Sequence, residues 1–325
     1  MHPTIRTTNP ALGPAFQRNG RRWHHAATPR WLGIAAVLGL CGLAIGGYAA
    51  QQFAIHELES EGIEVKAMGR ETPMDFGVHY ETLALPVNGR LLQARLVRSD
   101  SVTARALLIF HGNGEAVSDW SRVQAQLQAA GVSSMVFDYS GFGNSTGTPS
   151  VAHLREDALT AYRAFVQQLP QAQARYVLGH SLGNAVMLDA LHALQPQPAG
   201  VVVHAGFTSA REMAVQTGLA SPWLARVLPD LWDNEAAMAG HGPQTLVMHG
   251  DADEVIPAQM GARLAEAAGP RAQFLSLRGI QHDTLYEHPS AQEWQPIIEF
   301  MKAGAAVSLA GSPAASTAEA LALAP

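Results

Sequence analysis

The chain has 325 residues, 47% of them hydrophobic, and a formal net charge of −6 at pH 7. That is enough apolar material for one large core in one or two domains, and an acidic balance with pI near 6.1 excludes a broad basic surface for nucleic acid. A single cysteine, Cys41, excludes an intrachain disulfide, so the fold must stand on its core.

Residues 1–30 carry Arg6, Arg18, Arg21, Arg22 and Arg30 with no Asp, Glu or Lys, and read as a basic tail. The following run, "WLGIAAVLGLCGLAIGGYAA" at 31–50, has no charge. Its length matches the ~20 residues that cross a bilayer's hydrocarbon core. Glu57, Glu59, Glu61 and Glu64 come next, so positive charge lies on the N-terminal side. This asymmetry predicts a cytoplasmic N-terminus and a non-cytoplasmic remainder. We read 31–55 as an uncleaved transmembrane anchor. Small residues at Gly47-Tyr48-Ala49 also permit cleavage as a signal peptide, although the leader is long for one. Leu40 before Cys41 argues against a lipoprotein signal, and the uniform apolarity argues against a buried core helix.

A polar linker is expected over 56–75 and the main domain over 76–302. Asn88-Gly89, between "YETLALPV" and "LLQARLV", predicts a two-residue β-hairpin. Beyond it, apolar runs at 106–110, 133–139, 175–179, 200–205, 245–250 and 273–277 read as strands. They alternate with helix-length segments near 117–130, 151–168, 182–194, 258–268 and 290–302. Unbroken apolar strands separated by helices predict a mostly parallel sheet covered on both faces, the α/β class, with ligands at the strands' carboxyl ends. The stretch 207–243 interrupts the alternation. Ser221-Pro222 starts a helix there, and Trp223, Leu224, Val227, Leu228 and Leu231 recur at helical spacing. That stripe reads equally as core or as a small cap lining an acyl pocket. The tail 303–325, rich in Ala, Ser and Gly, reads as disordered.

The chemistry gathers at strand ends. "GHSLG" (179–183) joins a strand to a helix, the setting in which a G-x-S-x-G turn lifts a serine hydroxyl above the sheet. Composition alone predicts about 0.15 such matches per chain, so the flanking loops carry the argument. They are "HGNGE", "DYSGFGNSTGTPS", "HGDADEVIP" and "GIQHDTLY". This ordered set resembles the α/β-hydrolase superfamily over roughly residues 80–302, specifically its membrane-anchored ABHD-type, serine-aminopeptidase-like and monoacylglycerol-lipase-like members. The resemblance implies Ser181 as nucleophile, Asp253 as acid and His282 as base, in the chain order expected of that fold. It also implies an oxyanion hole from the backbone N–H groups of Leu182 and Asn113, with Gly114 as a neighbouring alternative for the second.

Other residues take plainer readings. Asp251, Asp253 and His249 lack the regular spacing of a metal site, and Gly141, Gly143 and Gly147 do not spell the dinucleotide fingerprint. No cofactor or metal is expected. Asp138 and Ser145 are expected to hold their loop by hydrogen bonds, His111 to support "HGNGE", and His204 to be an ordinary buried histidine. Asn184 stands where many relatives have glycine and is expected to narrow the pocket. Asp283 either raises the basicity of His282 or faces solvent. The expected activity is hydrolysis of a small-molecule or lipid acyl ester or thioester through an acyl-enzyme. Amide or peptide hydrolysis is the alternative, and a catalytically silent binding protein the rival from another class.

Overall fold

At Asn88 and Gly89 the backbone has φ of 41° and 80°, the paired left-handed conformation of the turn that matches strand twist. It joins β1 (Glu81–Val87) to β2 (Arg90–Val97) as the predicted antiparallel hairpin, in the register Val87 to Arg90. The computed structural model describes residues 62–100, 105–226 and 230–310, with short pieces between 46 and 59. Most of the predicted anchor at 31–55 and all of the tail beyond 310 lie outside the described residues. Among those described, no helix is long and apolar enough to cross a membrane. Everything below concerns the unit Tyr48–Pro325.

The remaining strands are β3 (Arg105–Phe110), β4 (Val132–Phe137), β5 (Ala174–His180), β6 (Gly200–His204), β7 (Gln244–Gly250) and β8 (Ala272–Leu277). They form one eight-stranded sheet in the order β1-β2-β4-β3-β5-β6-β7-β8. Pairing is parallel from β4 through β8, and β2 meets β4 antiparallel. This is the sheet of the α/β-hydrolase fold. Alternate strand residues feed two cores, as the pleat requires. Leu108, Phe110, Val177 and Val203 pack with Leu154 and Phe165 of α2 (Val151–Gln168), Val186 of α3 (Leu182–Leu191) and Leu264. Leu107, Ile109, Leu178 and Val202 pack on the other face with Val123 and Leu127 of α1 (Ser121–Ala129), and with Trp294 and Ile297.

Among the described residues between β6 and β7 are three short helices, α4 (Ala210–Gln216), α5 (Pro222–Ala225) and α6 (Asn234–Ala239). Pro222 at the start of α5 follows Ser221 as the sequence suggests. Past β7 come α7 (Ala258–Ala268), α8 (Thr284–Glu287) and α9 (Ala291–Ala310). The last helix runs beyond the expected boundary at 302, because the run after it is rich in Ala, the strongest helix former. Helix α3 ends at Leu191 rather than 194. Pro196 and Pro198, which cannot donate to a helical ladder, follow closely.

The largest revision concerns the expected linker. Residues 62–71 are docked on the domain. Ile63 is buried, and Ala67 bridges Gly143 as a short parallel pair. Gly69 N–H donates to Ser118 Oγ at 2.9 Å, and the Glu71 carbonyl accepts from the buried Arg95 at 2.7 Å. Polar composition suggests a free segment, but here the backbone rather than the side chains makes most of the attachment.

Candidate active site

Strand β5 ends at His180 and α3 begins at Leu182, so the whole reversal falls on Ser181. Its φ of 51° and ψ of −118° lie outside the usual regions for a residue with a Cβ, a strain of about 1–3 kcal/mol that the surroundings must hold in place. The brace is visible. Ser181 N–H donates to the His204 carbonyl at 3.2 Å, and the Asn184 amide donates to the carbonyls of Ser181 at 3.2 Å and His204 at 2.8 Å. Asn184 is therefore a strut behind the turn, which corrects the expectation that it narrows the pocket. Both glycines are required by close approach. A Cβ on Gly179 would stand 2.7 Å from Asn184 Cα, and one on Gly183 would stand 2.0 Å from the Phe110 carbonyl oxygen.

The loops after β7 and β8 bring the other predicted residues to the serine. Ser181 Oγ–H donates to His282 Nε2 at 3.0 Å, and His282 Nδ1–H donates to Asp253 Oδ2 at 2.8 Å. All three are nearly enclosed, with Ser181 9% and His282 8% exposed and the Asp253 side chain fully buried. Asp253 Oδ1 accepts the N–H groups of Val255 at 2.9 Å and Ile256 at 2.8 Å. His249 adds a contact that sequence reading missed, its Nε2 lying 3.3 Å from Asp253 Oδ2 and donating to the Ile256 carbonyl at 2.9 Å. Burial alone would raise the Asp253 pKa. Hydrogen bonds from His249, His282 and the Ile256 N–H outweigh it and hold the carboxyl far below its ordinary range. Such an array can take a proton from a serine hydroxyl and stabilise the resulting imidazolium.

The "HGNGE" loop follows β3. Asn113 is fixed by the docked segment, since its Oδ1 accepts the Glu64 N–H at 2.8 Å and its Nδ2 donates to the Gly62 carbonyl at 3.0 Å. Gly114 N–H donates to the Glu64 carbonyl at 3.0 Å, which removes Gly114 as an oxyanion donor. The Leu182 N–H, at the first position of α3, has no partner within the helix. His111 is buried with its pKa lowered to about 4 by desolvation. Its Nδ1 donates to the Gly112 carbonyl at 2.9 Å, and its own carbonyl accepts from Tyr139 Oη at 2.9 Å, in keeping with a support for the loop. Asp138 and Ser145 bond as expected. Asp138 Oδ1 accepts the Val117 N–H at 2.8 Å. Ser145 Oγ donates to the Asp138 carbonyl at 2.8 Å and accepts the Gln93 N–H at 2.9 Å.

Two further placements matter. Asp251 Oδ1 accepts the Gly279 N–H at 2.6 Å and so serves a turn. Asp283 is half-exposed, and its Oδ1 lies 4.0 Å from His180 Nε2. His180, His282 and Asp283 could bring ligand atoms within 4.8 Å of one another. Both nitrogens of His282 already face Ser181 and Asp253, so a metal there would have to break that array.

The chain is similar to known proteins in both sequence and fold. The profile described as "Serine aminopeptidase, S33" matches residues 102–241. An uncharacterized protein of Mycobacterium tuberculosis is 32% identical over 181 residues, covering 55% of this chain and 63% of that one. The lysophosphatidylserine lipase ABHD12 of Danio rerio is 28% identical over 212 residues, covering 56% of this chain and 55% of that one. The chain thus spans less than two thirds of these relatives' lengths. Among solved structures, the Pyrococcus furiosus esterase Pf2001 superposes with a TM-score of 0.61 at 17% identity, covering 74% of this chain and 98% of that one. The Thermogutta terrifontis esterase 2 gives 0.53 at 19% identity, covering 68% and 91%. Identities this low speak for the fold alone. Taken together, the sheet order, the strained serine turn and the matched sequences give the chain the α/β-hydrolase fold and support its membership of that superfamily.

Proposed function

We propose that this hydrolase cleaves an acyl ester or thioester through an acyl-enzyme formed on Ser181. The observation that carries the reading is the continuous hydrogen-bond array from Ser181 Oγ through His282 to Asp253. Ser181 Oγ attacks the carbonyl carbon while His282 Nε2 takes its proton, and the same nitrogen returns that proton to the leaving alcohol or thiol. Water activated by His282 then releases the acid. Asp253 holds the imidazole tautomer and stabilises its cation. The Leu182 and Asn113 N–H groups receive the charge on the carbonyl oxygen. Labelling of the intact chain by a fluorophosphonate tests the reading, because only an activated serine reacts. An unlabelled, folded chain would favour the silent binding protein.

A lipid acyl ester is the favoured substrate. The name of the ABHD12 relatives supports a lysophospholipid-like ester, and the charge-free run at 31–50 would hold the site near a bilayer. Its topology, N-terminus cytoplasmic and catalytic domain outside, is part of the proposal. Ala185, Phe207, Ile256 and Met260 form a buried apolar cluster with the partly buried Met213 and Trp232; Ile256 donates its N–H to Asp253, and in this reading the cluster backs the acyl chain. The helices α4 to α6 above it are a small cap in this reading, and short ones cannot enclose a long chain. Each buried CH₂ contributes only ~0.8 kcal/mol. On soluble p-nitrophenyl esters, kcat/KM is expected to peak at short to medium acyl lengths, and a monotonic rise to long chains without detergent would disprove the small cap. Amide hydrolysis remains the second reading, favoured by the aminopeptidase profile over residues 102–241.

The docked segment has a role here as well. Residues 62–64 fix Asn113, whose N–H is a proposed oxyanion donor. A chain starting at His56 is expected to keep kcat/KM within about twofold. One starting at Thr72 should lose on the order of tenfold or more, since a single misaligned oxyanion donor is worth ~10²–10³ in kcat. Equal activity of the two truncations, measured on a p-nitrophenyl ester, would remove the segment from the mechanism.

A further inference from the structure

Behind the serine turn lies a line of buried titratable groups that the reaction as written does not use. His180 and His204 end adjacent strands, pair in register, and face each other with Nδ1 to Nδ1 at 3.0 Å. On one side, His180 Nε2 stands 3.4 Å from Glu115 Oε1. On the other, His204 Nε2 stands 3.7 Å from Glu293 Oε1. All four side chains are at most 2% exposed. By hydrogen-bond geometry the Nε2 atoms of both histidines and Oε1 of Glu293 are unpartnered among the described residues, so the two outer gaps are close approaches that a shift of less than about 1 Å would turn into hydrogen bonds. The outer carboxylate oxygens are anchored, Glu115 Oε2 by Trp120 Nε1–H at 2.8 Å and Glu293 Oε2 by Ser290 Oγ–H at 3.0 Å.

A proton count decides what such a line can be. Two imidazoles facing by the same kind of nitrogen need one proton between them, so one carries Nδ1–H and the other a bare Nδ1. The line has three gaps, and two neutral imidazoles bring two protons. The third has to come from one carboxyl, which leaves the other ionised. Two arrangements satisfy this. In the first, Glu115 is protonated and donates to His180 Nε2, His180 Nδ1–H donates to His204, and His204 Nε2–H donates to a Glu293 carboxylate. In the second every proton sits one atom along: Glu293 donates to His204 Nε2, His204 Nδ1–H to His180, and His180 Nε2–H to a Glu115 carboxylate. Interconversion moves three protons, each across one gap, and carries the negative charge from one end to the other with no atom left over.

We propose that Glu115, His180, His204 and Glu293 form a chain that shares one carboxyl proton and so keeps a movable negative charge beside His282. The inference rests on the serine-hydrolase reading above. His180 is the link to the base: its ring lies 5.0 Å from that of His282, centroid to centroid. The His204 carbonyl is the link to the nucleophile, as the acceptor for Ser181 N–H. When His282 becomes an imidazolium, charge at the Glu115 end stabilises it more than charge at Glu293. The other groups facing this end are Asp283, 4.0 Å from His180, and the Trp120 and Tyr286 rings. His249 and Asp253 act electrostatically on His204. Burial favours neutral forms throughout. It pushes Glu115 up to about 8 and Glu293 up to about 7, and it drives His180 well below and His204 down to about 3. These four are positioning residues, not catalytic ones.

The test has two arms, both on the full chain. Long-range ¹⁵N NMR of histidine-labelled protein is expected to show His180 and His204 as neutral opposite tautomers, or as an exchanging pair with averaged shifts. Identical fixed tautomers, or an imidazolium at either position at pH 7, would overturn the proposal whether or not the chain is a hydrolase. The second arm uses p-nitrophenyl ester turnover. Glu115→Gln mimics the protonated acid and confines the charge to Glu293, so kcat is expected to fall about tenfold with KM within about twofold. Glu293→Gln confines the charge to Glu115, and its kcat is expected to exceed that of Glu115→Gln by about fivefold or more. Equal kcat in the two variants, with only their melting temperatures changed, would make the chain a structural filler. If either variant fails to fold, the NMR arm decides. Loss of labelling in Ser181→Ala tests the underlying hydrolase reading separately.

Discussion

Ser181→Ala is expected to abolish both fluorophosphonate labelling and ester hydrolysis, with kcat falling by ~10⁴–10⁶. His282→Ala should lose activity on the same scale rather than an additional one, because nucleophile and base act as a unit. The geometry explains the coupling. One proton bond of 3.0 Å joins Ser181 to His282, and without either partner the other has nothing to activate. Asp253→Asn is expected to cost less, ~10⁴. An amide cannot hold the imidazolium electrostatically, although its oxygen could still accept the Val255 and Ile256 N–H bonds now made to Oδ1. Melting temperatures should separate these cases from unfolding. Ser181→Ala relieves no brace and loses one hydroxyl, so its stability should stay within about 1 kcal/mol of the parent. Turnover of the Ser181→Ala chain at the parent's rate would end the mechanism proposed here, whatever the other variants did.

What is legible in the sequence is whatever is local along the chain. The hairpin needs only Asn88-Gly89 and its flanking alternation, and the serine turn needs only five consecutive residues between a strand and a helix. Both stand where expected. Ser181, Asp253 and His282 are distant in sequence, yet each follows closely on a parallel strand, and the fold places those carboxyl ends side by side. The parts not legible depend on partners from different strands. Nothing around His204 in sequence signals that its ring meets His180, because that pairing is a register fact of β5 against β6. Glu115 sits in a loop motif whose glycines draw attention, while its carboxylate is buried against Trp120 and His180. Asn184 misleads for a related reason. A polar residue near the site suggests a pocket wall, but its amide is consumed by the carbonyls of Ser181 and His204. The docked segment at 62–71 is invisible in composition because main-chain hydrogen bonds leave no trace there.

Gly183→Ala is expected to be among the most damaging single changes outside the triad, although it adds one methyl group. The added Cβ would stand 2.0 Å from the Phe110 carbonyl oxygen, 2.6 Å from its carbon and 2.7 Å from the His111 carbonyl oxygen. These are backbone atoms at the end of a central strand, where Phe110 is paired in register with Gly179. No side-chain rotation can relieve the clash. Either β3 leaves its neighbour or the first turn of α3 lifts away from the sheet. The second course moves Leu182 and Ser181 together, and a displacement of about 1 Å at a reacting group costs ~10²-fold in rate. Overpacking of this kind also destabilises by about 3 kcal/mol, or roughly 6–12 °C in melting temperature for a domain of this size. Gly77→Ala supplies the control. That glycine has φ of 76°, and a Cβ added to it would meet nothing within 4 Å. Only backbone strain of about 1–2 kcal/mol is added, far from the serine turn, with kcat/KM unchanged. If Gly183→Ala melts and turns over like Gly77→Ala, the close approach of α3 to β3 does not set the position of Ser181, and the rigidity argued for the turn fails with it.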